Sequence, residues 1–395
     1  MKLWWLVLVS LLVTVLLVGC APQTPAPSPA PSPSPAPSPK PTATPAPSPT
    51  AAPTPTAAPK AARIPFDKQE LQKYVNSSAS PGGSSQILQT GWAQLISKYT
   101  SMKAGVTLIP GFKGAIEPLR KGEVDFFWLS PPSAMAAYYG TLGLPPLRLR
   151  YMVSVKGEQM FVHGLWVLAN SDIKEGKDLK GKRIGNDPGV AWSPAIINGV
   201  MKAHGWTEKD YTRVDYSAKE GGFDMMIERK VDAVIASAGT ETLEKSKTVG
   251  LRLVPLTREE TDAIIKIEPG IEAGMTPKDY MGSGASRWGI IGTSGFWARA
   301  DLNEKTAYTM VKALFENLKE FQMTHERATD VTLETACGDL GWKVPYHPGV
   351  VRYYQEKGIW KADRTAKQKE MLELERKLFG NIIDEEAFKE LGILP

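Results

Sequence analysis

The stretch Gly181-Lys182-Arg183-Ile184-Gly185-Asn186-Asp187-Pro188-Gly189-Val190-Ala191-Trp192-Ser193-Pro194, continued by Ala195 to Trp206, decides the reading of the fold. It reads as strand, loop and helix. Ser193 is placed to act as N-cap, its hydroxyl accepting from the first free backbone N–H groups, and Pro194 stands where a missing N–H costs nothing. Gly205 closes the helix. Gly189 and Ala191 leave the backbone uncovered between strand and helix, so a small anion can reach amides at the positive end of the helix dipole. The device recurs where Glu123-Val124-Asp125-Phe126-Phe127-Trp128-Leu129 forms a buried strand and Ser130-Pro131 follows. Two helix starts of one design, far apart in sequence, predict two lobes offering similar edges to a shared gap. An ordinary turn in an α/β domain is the competing reading of either copy alone.

The ends of the chain carry a different message. Lys2 precedes an apolar run from Leu3 to Gly19, broken only by Ser10 and Thr14 and ending in Leu17-Val18-Gly19-Cys20. This resembles a bacterial lipoprotein signal (residues 1–20) with its lipobox, which implies that Cys20 becomes a lipidated first residue. An uncleaved anchor is the other reading, although the run is slightly short of the ~20 residues a spanning helix needs. Either way the protein is expected outside the cytoplasm, tethered to the outer face of the cell membrane. Residues 21–63 are Pro, Ala, Ser and Thr of low complexity and hold 16 of the 32 prolines. Such a segment cannot bury a core and favours polyproline II, so it is expected to be a disordered, semi-rigid spacer.

The formal charge of +5 falls to +1 once residues 1–63 are set aside, because they hold Lys2, Lys40, Lys60 and Arg63 and no acidic residue. Near neutrality without a basic cluster argues against nucleic acid as a partner. Cys337 is the one cysteine after the spacer, so no disulfide can form within the folded part. Stability must come from a hydrophobic core, and the remaining length suffices for two lobes of ordinary domain size.

Further along, strands are expected at Leu71–Asn76, Val106–Ile109, Leu149–Val155, Phe161–Ala169, Thr212–Tyr216, Val231–Ala236 and Leu251–Leu256. The apolar spacing of Ile87, Leu88, Trp92, Leu95 and Ile96 predicts a helix over Gln86–Tyr99, and a short helix is expected around Glu117–Lys121. Four exposed loops then follow strands: the Gly82-Gly83 loop, Pro110–Gly114, Gly189–Ser193 and Ser237–Thr240. Residues 268–288, rich in Gly, Met and Pro, read as a surface excursion, and Gly289–Ala298 as one returning strand. Two crossings divide the chain into residues 64–159 with 294–395, and 160–293. In open parallel sheets ligands sit outside the carboxyl ends of the strands, so a cleft between hinged lobes is the expected geometry.

No motif nominates an enzyme. His163, His204, His325 and His347 lack metal-ligand spacing, Cys337 has no cysteine partner for a CxxC, and neither a GxSxG elbow nor a phosphate loop is present. His204 is expected at a helix end, where a cation suits the dipole, and Cys337 as a small buried hydrophobe. Neither a metal nor a cofactor is expected.

The order of segments resembles that of the solute receptors of the TAXI class of TRAP transporters, over roughly Tyr74 to Trp360. The resemblance rests on Val311–Leu318 (VKALFENL), Thr332–Ala336 (TLETA), Val344–Gly349 (VPYHPG) and Arg352–Gly358 (RYYQEKG), with support from Leu119–Asp125 and Leu179–Ile184. It implies a type II periplasmic-binding-protein fold: α/β, two lobes joined by two crossover strands with a ligand cleft between them. It further implies a monomeric extracytoplasmic receptor that closes on a small organic acid or amino acid and delivers it to TRAP membrane permease subunits. A sensor or scaffold lipoprotein that kept the fold without transport is the alternative.

The residues expected to bind the solute are Gly83, Ser84, Ser85 and Gln86; Gly111, Phe112, Lys113 and Gly114; Ser130; Gly189, Ala191, Trp192 and Ser193; and Gly239 and Thr240. The sequence departs from the family pattern here. Ser84-Ser85-Gln86 stands where a tyrosine pair is usual, Ser130-Pro131-Pro132 where a polar or acidic residue is common, and Val190-Ala191-Trp192-Ser193 where small residues are usual. Trp192 is open to two readings, packing or binding, and Lys113 reads first as solvated surface.

Overall fold

The computed structural model describes residues 63–81, 84–155, 161–216, 219–237, 245, 247–268, 270–276, 278, 286–292, 294–338 and 344–395. The lipidation candidate Cys20, residues 21–62, and Gly83, Gly239 and Thr240 lie outside that set. In chain order the strands are β1 (Tyr74–Ala79), β2 (Lys103–Leu108), β3 (Phe126–Leu129), β4 (Leu149–Val155), β5 (Phe161–Leu168), β6 (Arg183–Asn186), β7 (Thr212–Asp215), β8 (Ala233–Ser237), β9 (Leu251–Leu253), β10 (Glu272–Met275), β11 (Trp288–Gly292) and β12 (Ser294–Arg299).

They form two sheets, ordered β2-β1-β3-β12-β4 and β10-β11-β5-β8-β6-β7, with β9 beside β5. Within the first, β1 runs parallel to β2 and β3, whereas β12 is antiparallel to both β3 and β4. Within the second, β6 is parallel to β7 and β8, whereas β5 is antiparallel to β8. Each sheet therefore takes its reversed strand immediately after the chain arrives from the other. This reciprocal exchange is the two-lobed binding-protein fold.

Patterning explains the layers. The β5 residues Leu165 and Val167 face one core together with Ile184 and Ile235, whereas Val162, Trp166 and Leu168 face another with Val234 and Ala236. Alternation on a strand covered on both sides requires such a split. In the first lobe, helix Ser84–Tyr99 buries Trp92, which meets Phe296 edge-on at 4.4 Å and Phe126 at 5.1 Å. The indole N–H donates to Met310 O at 3.0 Å, so its polar atom is satisfied inside the core.

The late stretch His347-Pro348-Gly349 has a packing explanation. His347 Nδ1 accepts from Gly349 N at 3.2 Å and its Nε2 donates to Leu302 O at 2.9 Å, which fixes the tautomer and caps helix Pro348–Glu356. Burial pushes the imidazole pKa down to about 3, so the ring is neutral. A Cβ on Gly349 would fall 2.0 Å from Glu304 O, so only glycine lets this helix lie against Glu304–Glu316.

The lobes also repeat one device. Asp125, just before β3, donates its amide to Asn76 O and accepts Asn76 N on Oδ2, both at 2.8 Å. Asp232, just before β8, does the same with Arg183 at the same distances.

Several expectations shift. Strand β1 begins at Tyr74, not Leu71, and includes Ser77-Ser78-Ala79, which the sequence assigns to loop. Ser77 is fully buried because its hydroxyl donates to Gln89 Oε1. The span Gly289–Ala298 is two strands, β11 in the second sheet and β12 in the first. Part of the supposed excursion pairs as β10 with β11. Helix Arg258–Ile267 is absent from the expectations, although Thr257-Arg258-Glu259-Glu260 carries its start. Thr257 accepts from Glu260 N and the Glu260 carboxylate accepts from Thr257 N, a complete capping box.

Candidate functional site

Because β1, β2 and β3 are parallel, their carboxyl ends share one edge, and helices Ser84–Tyr99, Gly111–Arg120 and Pro131–Tyr139 start there. The second sheet is built alike. Strands β6 and β8 end on one edge, and helix Trp192–Ala203 starts beyond β6. The expected residues Ser84, Ser85, Gln86, Gly111 to Gly114 and Ser130 thus share one edge, and Gly189, Ala191, Trp192 and Ser193 lie on its counterpart.

The two edges touch. A Cβ on Gly270, which follows helix Arg258–Ile267, would lie 2.7 Å from Met135 Sδ and 3.1 Å from Pro132 N and Cα. Backbone of the second lobe therefore rests on the first turn of Pro131–Tyr139. Ala191 crosses as well, being buried within the first lobe's core cluster.

At three of these starts the N-cap position, held by Pro110, Ser130 and Ala191, makes no side-chain cap bond. Elsewhere Arg258–Ile267, Glu304–Glu316, Leu333–Ala336 and Pro348–Glu356 are capped by Thr257, Asn303, Thr332 and His347, whereas Leu318–Gln322, Ala362–Phe379 and Glu385–Glu390 also lack a side-chain cap. Pro131, Pro132 and Pro194 carry no N–H, so what the edge-facing ends can offer a guest is the remaining first-turn amides, such as those of Gly111, Phe112 and Ser133.

The local chemistry corrects the expected roles. Ser193 is not the N-cap: the helix begins at Trp192, two residues before the start that role requires, and Ser193 lies in its first turn, fully buried. Its hydroxyl accepts from Asp187 N and donates to Asn186 Oδ1, both at 3.0 Å, while Asn186 Nδ2 donates to Asp215 Oδ1 at 2.8 Å. Ser193 thus shapes the loop from beneath. Asp187 Oδ1 accepts from Gly189 N at 2.8 Å, so its charge is used within the turn. Ser130 does occupy the cap position with Pro131 next, but its hydroxyl bonds Ser133 Oγ at 3.4 Å instead of an amide.

The residues expected to form the loop Gly111–Gly114 are the first turn of a helix, opened by Gly111 at φ 69°. Phe112 is buried in the first core, whereas Lys113 and Gly114 are exposed. Trp192 is 3% exposed and stacks on His163 with centroids 4.3 Å apart. Of its two readings, packing describes this arrangement.

Sequence reasoning missed the polar residues behind these turns. Gln89 accepts from Ser77 Oγ and from Trp128 N at 3.1 Å and donates to Ser85 O at 3.2 Å, tying β1, β3 and a helix start together. His163 Nδ1 lies 2.8 Å from Ser237 Oγ at the end of β8. Glu268, two residues from the Gly270 contact, has its carboxyl pKa raised to about 7 by burial, against one weak bond from Gly270 N. No spacing rule marks such residues in the sequence.

Away from the edges, His204 ends its helix as expected, with Nε2 2.8 Å from Glu260 Oε1, and Cys337 is buried. Among the described residues no group of His, Cys, Asp or Glu is arranged to hold a metal, and no helix is long and apolar enough to cross a membrane.

Replacing Ser193 by alanine strands the Asp187 amide and Asn186 Oδ1, both buried, and is expected to cost about 2 kcal/mol in urea unfolding. A loss under about 0.5 kcal/mol would show that those groups find other partners.

Among solved structures, the chain is similar to the periplasmic aliphatic sulphonate binding protein SsuA from Escherichia coli, at 17% identity over 80% of this chain and 91% of that one, with a TM-score of 0.44. It is also similar to the alkanesulfonate-binding protein SsuA from Xanthomonas axonopodis pv. citri, at 15% identity over 81% and 99%, with a TM-score of 0.41. The sequence model of the NMT1-like family matches residues 77–358, from the middle of β1 to Gly358. That span takes in both sheets, the exchange of strands and every helix start described above, and the chain belongs to the NMT1-like family.

Proposed function

We propose that this protein is an extracytoplasmic solute receptor of the TAXI class, tethered by lipid on Cys20 and a proline-rich spacer. It closes residues 64–159 with 294–395 against residues 160–293 around a small organic acid or amino acid, then hands it to TRAP permease subunits. The observation that carries this reading is the set of helix starts without side-chain caps at the facing edges of two sheets. Amides held in that way attract an anion without needing a cationic side chain, and fixed dipoles cost little reorganisation when the guest arrives. Family membership and the late motifs support the receptor class. In this reading the solute leaves as it entered, and the receptor works as a monomer.

The test is thermal stabilisation of the full chain across a panel of carboxylates, sulphonates and amino acids. A true solute at a hundredfold excess over Kd is expected to add ~2.7 kcal/mol. No shift with any compound, in protein shown to be folded, would overturn the reading.

A further inference from the structure

Opposite the facing edges, at the amino end of the second sheet, lies a crevice of about 260 Å3. Its lining includes Asn170 and Asp172 after β5, Lys182 before β6, Asp232 before β8, and Met226 and Arg229 at the end of helix Lys219–Ile227. Arg229 has φ 60°, the left-handed region that disfavours residues with a Cβ.

The first lobe shows what this turn ordinarily requires. There Gly122, Glu123 and Val124 donate their amides to Leu119 O, Pro118 O and Pro118 O, and Gly122 sits at φ 73°. In the second lobe Arg229, Lys230 and Val231 donate to Met226 O, Met225 O and Met225 O with the same spacing, and Asp125 and Asp232 follow as matching strand entries. Arginine thus stands where the equivalent turn has glycine. Backbone strain of this kind persists where the side chain is used.

The charges around the crevice are otherwise matched. Lys182 Nζ pairs with Asp172 at 2.8 Å, and Arg183 pairs with Asp232 at 2.7 Å. Among the described residues the Arg229 guanidinium has no ion pair or hydrogen bond. The negative end of the helix is also quenched, since the Met225 and Met226 carbonyls are taken by the turn amides. One positive charge is left over beside a polar hollow large enough for a few heavy atoms.

We propose that this crevice is a second binding site, taking a small monocarboxylate whose anionic end forms a two-point pair with Arg229. The planar guanidinium suits a carboxylate, and Asn170, another residue of the lining, can serve a hydroxyl on the same molecule. The site is separate from the gap between the lobes and stands whether or not that gap takes a solute.

The test follows methionine methyl signals in the full chain labelled with 13C, titrated with sodium lactate. Met226 lines the crevice and Met135 lies at the contact between the lobes, so the two report separately. The Met226 signal is expected to move and saturate, to lose that response at least tenfold in R229G, and to keep a weakened one in R229K. The Met135 response, whatever its size, should be the same in R229G and the parent, and R229G should melt no lower because glycine relieves the strained turn. A silent Met226 in the parent, an undiminished response in R229G, or a lower melting temperature for R229G would each overturn the proposal.

Discussion

Replacing Arg150 by alanine is expected to lower stability by about 3–5 kcal/mol. Arg150 lies on β4 with its side chain at 0% exposure. Its Nη2 pairs with Glu375 Oε1 at 2.9 Å and Asp384 Oδ1 at 2.6 Å, its Nε with Asp384 Oδ2 at 2.8 Å, and its Nη1 donates to Leu149 O at 3.1 Å. Tyr138 Oη completes the cluster by donating to Glu375 Oε2 at 3.0 Å. Burial works against the charge, yet Asp384 and Glu375 hold the guanidinium pKa well above its usual value. Alanine would leave a fully buried carboxylate facing a cavity. Urea unfolding of R150A beside the parent protein is the measurement. A loss below about 1 kcal/mol would mean that water or rearrangement replaces the guanidinium. Exchanging all three residues for apolar ones of similar volume is expected to cost far less than removing Arg150 alone, because no charge is then stranded.

The second large effect has the opposite sign. Glu268→Gln is expected to stabilise the protein at pH 8 and to change little at pH 4. Burial raises the carboxyl pKa from 4.5 to about 7 in the folded chain. Protonation therefore favours the folded state: the benefit is complete below about 4.5 and is lost as pH climbs through about 7. Glutamine keeps the neutral form and an oxygen for Gly270 N. The separation of the two values corresponds to about 3 kcal/mol, which part exposure of the side chain reduces towards ~2 kcal/mol. Melting curves of both proteins from pH 4 to pH 8 check this. A constant difference in Tm across that range would show that Glu268 titrates as an ordinary surface acid.

Sequence disclosed the plan of the molecule where apolar patterning and punctuation agreed. Strand β4 falls on Leu149–Val155 as expected, and Ser130-Pro131 stands at the start of its helix, because buried runs and N1 prolines are local signals. It failed where tertiary partners decide. Ser77 and Ser78 look like loop until Gln89 supplies a bond inside the core. Ser193 looks like a cap because serine before proline usually is one, but Asn186 and Asp187 claim its hydroxyl from the preceding turn. Trp192 is ambiguous in sequence because its stacking partner His163 lies 29 positions earlier, on a strand whose facing its local pattern does not fix. Gly349 carries no signal of its own in sequence; the carbonyl of Glu304 makes it necessary.

Arg63, the first described residue, is bonded to Glu304 and Glu390, and Arg352 bridges the same two carboxylates while its guanidinium lies 4.2 Å from the centre of the Phe66 ring. A pull applied at Arg63 is therefore borne first by this knot of ionic contacts on the helical flank of the first sheet, and β1 is loaded only after the knot has given way.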